Sequence, residues 1–337
     1  AGGSSGGAAV ALALRMLPVA DGSDMGGSLR NPAAYNNVYG FRPSMGRVPY
    51  GPEPEVFLRQ LSTPGPMART VTDLGHLLAV MAGYDSRSPL SLGDDPSVFS
   101  QPLQADLAGT RLAWLGDWDG RLPMESGVLA CCRAAFGAFQ AIGCTIEEAV
   151  PDFDPERLWR AWLALRQWLL VGTLGGLYDD PTKQAQMKPE AQWEVENGLR
   201  LSARDVYRAS ETRSAWYATV LRLFDRFDFL LLPTAQVFPF EATSPWPRQV
   251  AGIAMDTYHR WMQVAVPATM AGLPAMSVPV GFNAAGLAMG LQVIGPPRGD
   301  LALLRLAFAY EQATAWVRDH PPPVLGLAGD ASMEHPE

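Results

Sequence analysis

Lysine is nearly absent from this chain of 337 residues: of its 26 basic side chains only Lys183 and Lys188 are lysines. A phosphate-binding P-loop needs Gly-Lys-Ser/Thr, and no lysine precedes Lys183, so that chemistry is excluded. Histidine is scarce as well. His76, His259, His320 and His335 stand apart, no HExxH or CxxC spacing occurs, and no metal site or other cofactor is expected. Three cysteines, Cys131, Cys132 and Cys144, make no disulfide framework and suit a reducing compartment. The adjacent pair falls in a helical pattern, where buried packing is the expected role. Long apolar runs are lacking too. Trp162 to Tyr178 is broken by Arg166, Gln167 and three glycines, short of the about 18 uninterrupted residues of a spanning helix. Positive charge is neither in excess nor striped, with a net charge of −8, so no nucleic-acid partner is expected. A small-molecule partner, a cytoplasmic location and no membrane span follow as expectations, and a homo-oligomer is left open.

What is present suits a globular chain with a sizeable core: 48% hydrophobic and 18% charged residues. The expected class is α/β, a mixed, largely parallel central sheet flanked by helices. One domain is expected over residues 1–327, with a variable helical region at about 151–226 and a flexible tail at 328–337. Ala8 to Met16 reads as a buried helix, Leu17 to Ala20 as a short strand, and Pro32 suits the first turn of a helix. Thr70 to Asp73 reads as a capping box opening a helix whose apolar face is Leu74, Leu77, Leu78 and Met81. Tyr84 to Leu107 reads as an exposed connection. Arg111 to Leu115, a helix over Val128 to Ile142, and Cys144 to Ala149 make one parallel βαβ unit. Pro151 to Arg226 is helical and rich in tryptophan, filling a helical layer or lining an apolar pocket. Phe227 to Leu232 reads as a buried strand. Met276 to Phe282 and Ala288 to Ile294 pair across the turn Asn283 to Gly286. Leu301 to Trp316 is a helix that Asp300 can cap.

Two Gly-flanked serine loops at the start carry the chemistry. The first is Gly2-Gly3-Ser4-Ser5-Gly6-Gly7, the second Asp24-Met25-Gly26-Gly27-Ser28-Leu29-Arg30. Glycine lets backbone N–H groups approach a reacting oxygen closely. A flexible Gly/Ser linker would not run straight into a buried apolar helix, and Asp24 and Arg30 can brace the second loop as an ion pair. Gly2 to Gly6 also fits the G-x-S-x-G elbow, but that elbow needs a strand before it and an acid–histidine pair after it. No strand precedes Gly2 here, and Asp256 with His259 makes a weak pair. Glu147-Glu148 and Asp179-Asp180 read as solvated faces.

Together these loops, with GFRPSMGRVP (40–49), GPMARTVTD (65–73), DFLLLPT (228–234), MAGLPAMSVPVGF (270–282) and GLAMGLQVIGPP (286–297), resemble the amidase signature family of serine hydrolases. The likeness covers both ends of the chain, whereas about 90–210 carries no motif. It implies hydrolysis of a carboxamide through a serine acyl-enzyme by a Ser–cis-Ser–Lys triad. Matched residue by residue, Ser28 is the nucleophile and Ser4 the bridging serine with a cis peptide. Backbone N–H groups of Met25, Gly26, Gly27 and Ser28 form the oxyanion hole, and Ser5, Asp24 and Arg30 support it. The family's lysine lies upstream of the first serine loop, and neither Lys183 nor Lys188 matches its motif. A domain rarely begins on its own catalytic loop, so the amidase fold is expected to lack its N-terminal part here, with that lysine and any targeting signal outside the chain. Two alternatives stay open: a non-catalytic amidase-like binding or scaffold protein, and an amidotransferase-type subunit of the same family.

Overall fold

The computed structural model describes residues 1–326, so the expected tail at 328–337 lies outside the described residues. The chain opens with α1 (Gly6–Ala13), β1 (Val19–Asp24), α2 (Arg30–Tyr35), β2 (Tyr39–Arg42), β3 (Thr63–Ala68) and α3 (Val71–Met81). A crossover unit follows: β4 (Arg111–Trp114), α4 (Val128–Ala134), α5 (Phe136–Ala141) and β5 (Thr145–Glu148). A helical layer comes next, α6 (Pro155–Tyr178), α7 (Pro181–Gln184), α8 (Pro189–Arg200) and α9 (Ala203–Phe224). The chain returns through β6 (Phe229–Pro233), a small hairpin of β7 (Gln249–Val250) and β8 (Ile253–Ala254), and α10 (Val266–Ala271). It ends with β9 (Ala275–Phe282), β10 (Ala288–Ile294), α11 (Asp300–Thr314) and α12 (Trp316–Asp319).

Local chemistry sets several of these boundaries. Thr70 caps α3 by accepting the Asp73 N–H at 3.1 Å. Asp154 accepts the N–H groups of Glu156 and Arg157 ahead of α6, with Pro155 at its first position. Ser202 and Asp205 form a reciprocal capping box at α9.

Eight strands make one mixed sheet in the order β1-β3-β2-β9-β10-β6-β4-β5. The parallel βαβ unit is present, β4 pairing with β5 and also with β6 in parallel. The other five pairings are antiparallel, which corrects the expectation of a largely parallel sheet. The reason lies in the β9–β10 hairpin, which occupies the centre and reverses direction on both sides. Both faces are covered. Along β6, Phe229 and Leu231 enter the core under α3, α4 and α11, while Leu230 and Leu232 enter the core under α6, α9 and α10. An unbroken apolar run is what a strand buried on both faces needs.

Three further expectations are corrected. The helix over 128–142 is broken at Ala135 into α4 and α5. Phe139 stacks on Tyr310 of α11 at 4.5 Å and Phe136 meets Trp114 edge-on at 5.2 Å, so α5 follows different neighbours from α4. The connection at 84–107 is not wholly exposed: a 3₁₀ turn, Pro96–Ser100, buries Phe99 against α3, and Leu103 is buried as well. Asp300 does not cap α11. It begins the helix, and its carboxylate instead accepts the Ser44 N–H at 2.7 Å and Arg47 Nε–H at 3.1 Å.

Candidate active site

The second serine loop joins β1 to α2. Asp24, the last residue of β1, turns its carboxylate back over the loop. Oδ1 accepts the Gly27 N–H at 2.9 Å, and Oδ2 accepts those of Leu29 at 3.2 Å and Arg30 at 3.4 Å. Arg30 closes the collar with two parallel bonds, Nε–H to Oδ2 at 3.0 Å and Nη2–H to Oδ1 at 2.8 Å. Arg30 also reaches the Ala265 carbonyl at 2.9 Å, Gln292 Oε1 at 2.7 Å and Thr269 Oγ1 at 3.1 Å. Arg42 of β2 donates to the Asp24 carbonyl. All three charged side chains are fully buried. Burial pushes the Asp24 carboxyl up, but the attraction and hydrogen bonds of Arg30, with Arg42 and the Gly27 N–H behind them, hold it well below the usual carboxylate range. The expected brace is therefore built, and it ties the loop to β2, β10 and α10.

Gly27 is at φ +96°, and a Cβ there would come within 2.8 Å of Ala265 Cβ, so both backbone and space require glycine. Its N–H points into the Asp24 collar. The N–H groups of Met25, Gly26 and Ser28 donate to no protein acceptor among the described residues. Of the expected oxyanion donors, Gly27 is thus the one already engaged. Ser28 itself is half-buried.

The first serine loop lies against the second. Ser5 N–H donates to the Ser28 carbonyl at 3.2 Å, and Ser5 sits over Gly22 of β1. The Gly3–Ser4 peptide is cis, and Ser4 is exposed. Ser4, Ser5, Asp24, Arg30 and the 25–28 loop are thereby brought to one end of β1. Lys183 and Lys188 are not part of this arrangement. Lys183 is 58% exposed and pairs with Asp180 at 3.3 Å, and Lys188 is exposed just ahead of α8.

Sequence reasoning missed the wall on the far side of Met25. Trp162 of α6 donates its indole N–H to the Met25 carbonyl at 3.3 Å, and Arg166 Nη1–H reaches Met25 Sδ at 3.1 Å. Arg166 is held by Glu194 Oε1 at 2.6 Å and by the Tyr258 hydroxyl at 2.8 Å. Tyr258 and His259 also bond the same Glu194 oxygen, at 3.0 and 3.2 Å. A carboxylate only accepts, so His259 carries its proton on Nε2 and accepts from Thr257 at Nδ1, 2.8 Å away. Burial pulls the His259 pKa down, Arg166 adds to this, and Glu194 opposes it. His259 does not pair with Asp256, which lies beside Arg260 at 3.7 Å. The spacing of Trp159, Trp162 and Arg166 along one helix face was the available signal.

Among the described residues no cluster of His, Cys, Asp and Glu suits a metal ion, and no helix is long and apolar enough to cross a membrane.

A family model described as Amidase matches residues 1–304. A glutamyl-tRNA(Gln) amidotransferase subunit of Thermosynechococcus vestitus is 33% identical, across 95% of this chain and 69% of its own length. The acylamidase of Rhodococcus erythropolis is 31% identical, across 97% of this chain and 68% of its own. Among solved structures, a bacterial aryl acylamidase of the amidase signature enzymes superposes with a TM-score of 0.87 at 28% identity, covering 95% of this chain and 67% of that one. The corresponding amidotransferase subunit of Thermotoga maritima superposes with a TM-score of 0.71 at 25% identity, covering 92% and 65%. This chain spans about two thirds of the length of these relatives.

Proposed function

The chain belongs to the amidase signature family, and from that premise we propose that Ser28 is the nucleophile of an amide hydrolysis run by its two serine loops. Ser28 Oγ attacks the carboxamide carbon, its proton passing through Ser4 Oγ toward the base. The tetrahedral oxyanion is held by the free N–H groups of Met25, Gly26 and Ser28. Collapse expels ammonia or an amine, which takes up the proton, and water then hydrolyses the acyl-enzyme. Gly27 contributes shape rather than a donor. The observation that carries this reading is the Asp24 collar, which takes the N–H groups of Gly27, Leu29 and Arg30 and leaves those of Met25, Gly26 and Ser28 without protein acceptors. Arg30 and Arg42 outnumber Asp24 behind the loop, a surplus of one buried positive charge that favours an anion in front of it.

A serine hydroxyl needs a base. The lysine that the family resemblance implies is not among the residues of this chain, and it must be buried to stay neutral, since its ordinary pKa is near 10.4. The relevant assay is therefore that of the full-length protein. For the leaving group we favour the amine of an N-acyl amide over transfer to a partner protein. The higher TM-score with the aryl acylamidase, 0.87 against 0.71 for the amidotransferase subunit, supports this. Ser28→Ala should abolish turnover of an aryl amide in the full-length protein. An unchanged rate would remove Ser28 from the mechanism.

A further inference from the structure

A trans peptide carries its C=O and N–H on opposite edges of one plane, so whatever fixes one fixes the other. The Met25 carbonyl and the Gly26 N–H share such a plane at the mouth of the nucleophile loop. Trp162 Nε1–H holds the carbonyl, at 3.3 Å, while the Gly26 N–H has no protein acceptor. The same indole closes over Gly26: a Cβ there would lie 3.2 Å from the ring, so glycine lets the ring seat this closely.

The indole is itself held on several sides. Trp159 stacks on it at 4.9 Å, His259 meets it edge-on at 5.0 Å, and the Arg166 guanidinium lies over it at 5.5 Å. Arg166 is fixed in turn by Glu194 and Tyr258, and Glu194, 1% exposed at the side chain, collects Arg166, Tyr258 and His259 on one oxygen. A charged network of this kind inside a helical layer is costly to bury. Here it borders the peptide whose direction decides whether the Gly26 N–H faces outward.

We propose that Trp162 is a positioning residue for the hydrolysis: an indole clamp that locks the Met25–Gly26 peptide with the Gly26 N–H free to donate, braced by Arg166, Glu194, Tyr258 and His259. This rests on the Ser28 reading above. Trp162→Phe keeps an aromatic side chain in the layer and removes the N–H together with the ring edge that lies over Gly26. In the full-length protein, a fluorophosphonate that labels the nucleophile places an oxygen where the oxyanion forms. Trp162→Phe should slow labelling by about tenfold or more with reversible substrate binding unchanged, as expected when a donor is mis-aimed. Arg166→Met should slow it in the same direction, and Arg166→Lys should recover part of the loss. Trp118→Phe is the control. Trp118 is equally buried and donates to the Pro151 carbonyl at 3.3 Å, on a segment that holds neither the loop nor Arg30, so its loss should lower stability and leave the labelling rate alone. Labelling of Trp162→Phe at the wild-type rate overturns the clamp. A crystal structure of that variant tests it a second time without chemistry: a turned Met25–Gly26 peptide supports the clamp, and an unmoved one overturns it. Failure of the underlying reading looks different, because Ser28→Ala would then still be labelled while the peptide's orientation still judges the clamp.

Discussion

At the scale of single residues, Asp24 decides the shape of the loop that carries Ser28. Its two oxygens take three backbone N–H groups and both forks of Arg30, all inside the protein. Removing Arg30 breaks both of its bonds to the buried Asp24 carboxylate and leaves Arg42, 3.7 Å away, as the remaining counter-charge, which costs up to about 3–5 kcal/mol. Arg30→Met should therefore lower unfolding stability by that order, read from urea midpoints, and slow serine labelling with it. A variant as stable as the wild type would contradict this role for the collar. The Asp24–Arg30 pair was legible in the sequence because both residues bracket one short loop. Trp162 was not, because it meets Met25 across 137 residues of chain and from a helix without motifs. Nor could the sequence say that the Gly27 N–H faces its own loop.

At the scale of elements, α2 carries the Ser28 loop onto the sheet, and small residues set how closely it lies. A Cβ at Gly40 of β2 would come within 2.7 Å of Ala33 Cβ, and one at Gly290 of β10 within 2.8 Å of Ala34 Cβ. Gly40→Ala must push α2 outward, and overpacking of this kind costs about 1–3 kcal/mol. The expected outcome is a lower melting temperature together with slower labelling of Ser28. Loss of stability at an unchanged labelling rate would show that the loop does not depend on the seat of α2.

A second contact between elements sets a pH dependence. Glu311 of α11 accepts the Val71 N–H at the start of α3, at 3.0 Å. Burial pushes its carboxyl up to about 7, Asp73 adds to this, and the Val71 N–H opposes it. An unfolded glutamate ionises near 4.3, so between about pH 4.3 and 7 the folded state binds more protons than the unfolded. The contribution is complete below that window and is lost as pH rises through it. Glu311→Gln, which can still accept from Val71, should show a shallower fall in urea midpoint between about pH 5 and 7.5. Equal slopes in the two proteins would contradict this. Of these elements, the β9–β10 hairpin and the Thr70 cap were readable from local pattern. The break at Ala135 was not, since aromatic contacts with other elements place it there.

At the scale of the whole molecule, the order β1-β3-β2-β9-β10-β6-β4-β5 brings the two ends of the chain together at one site. Arg30, from the start, is held by Ala265 and Thr269 and by Gln292 of the central β10. This explains why the recognisable motifs fall at both ends while the helices between them carry none. The motifs build the loop and its supports; α6 and α8 supply the wall, whose chemistry is spatial rather than sequential. Strand pairing was the least legible feature, because apolar runs announce burial on two faces but not direction.

The most direct test of Ser28 as the nucleophile is to map a serine-directed phosphonate adduct on the full-length protein by peptide mass spectrometry. One adduct is expected, on the peptide carrying Ser28, absent from Ser28→Ala and unaffected by His259→Gln beyond the modest slowing of a loosened brace. An adduct on another serine, or one that persists in Ser28→Ala and vanishes with His259, would contradict it.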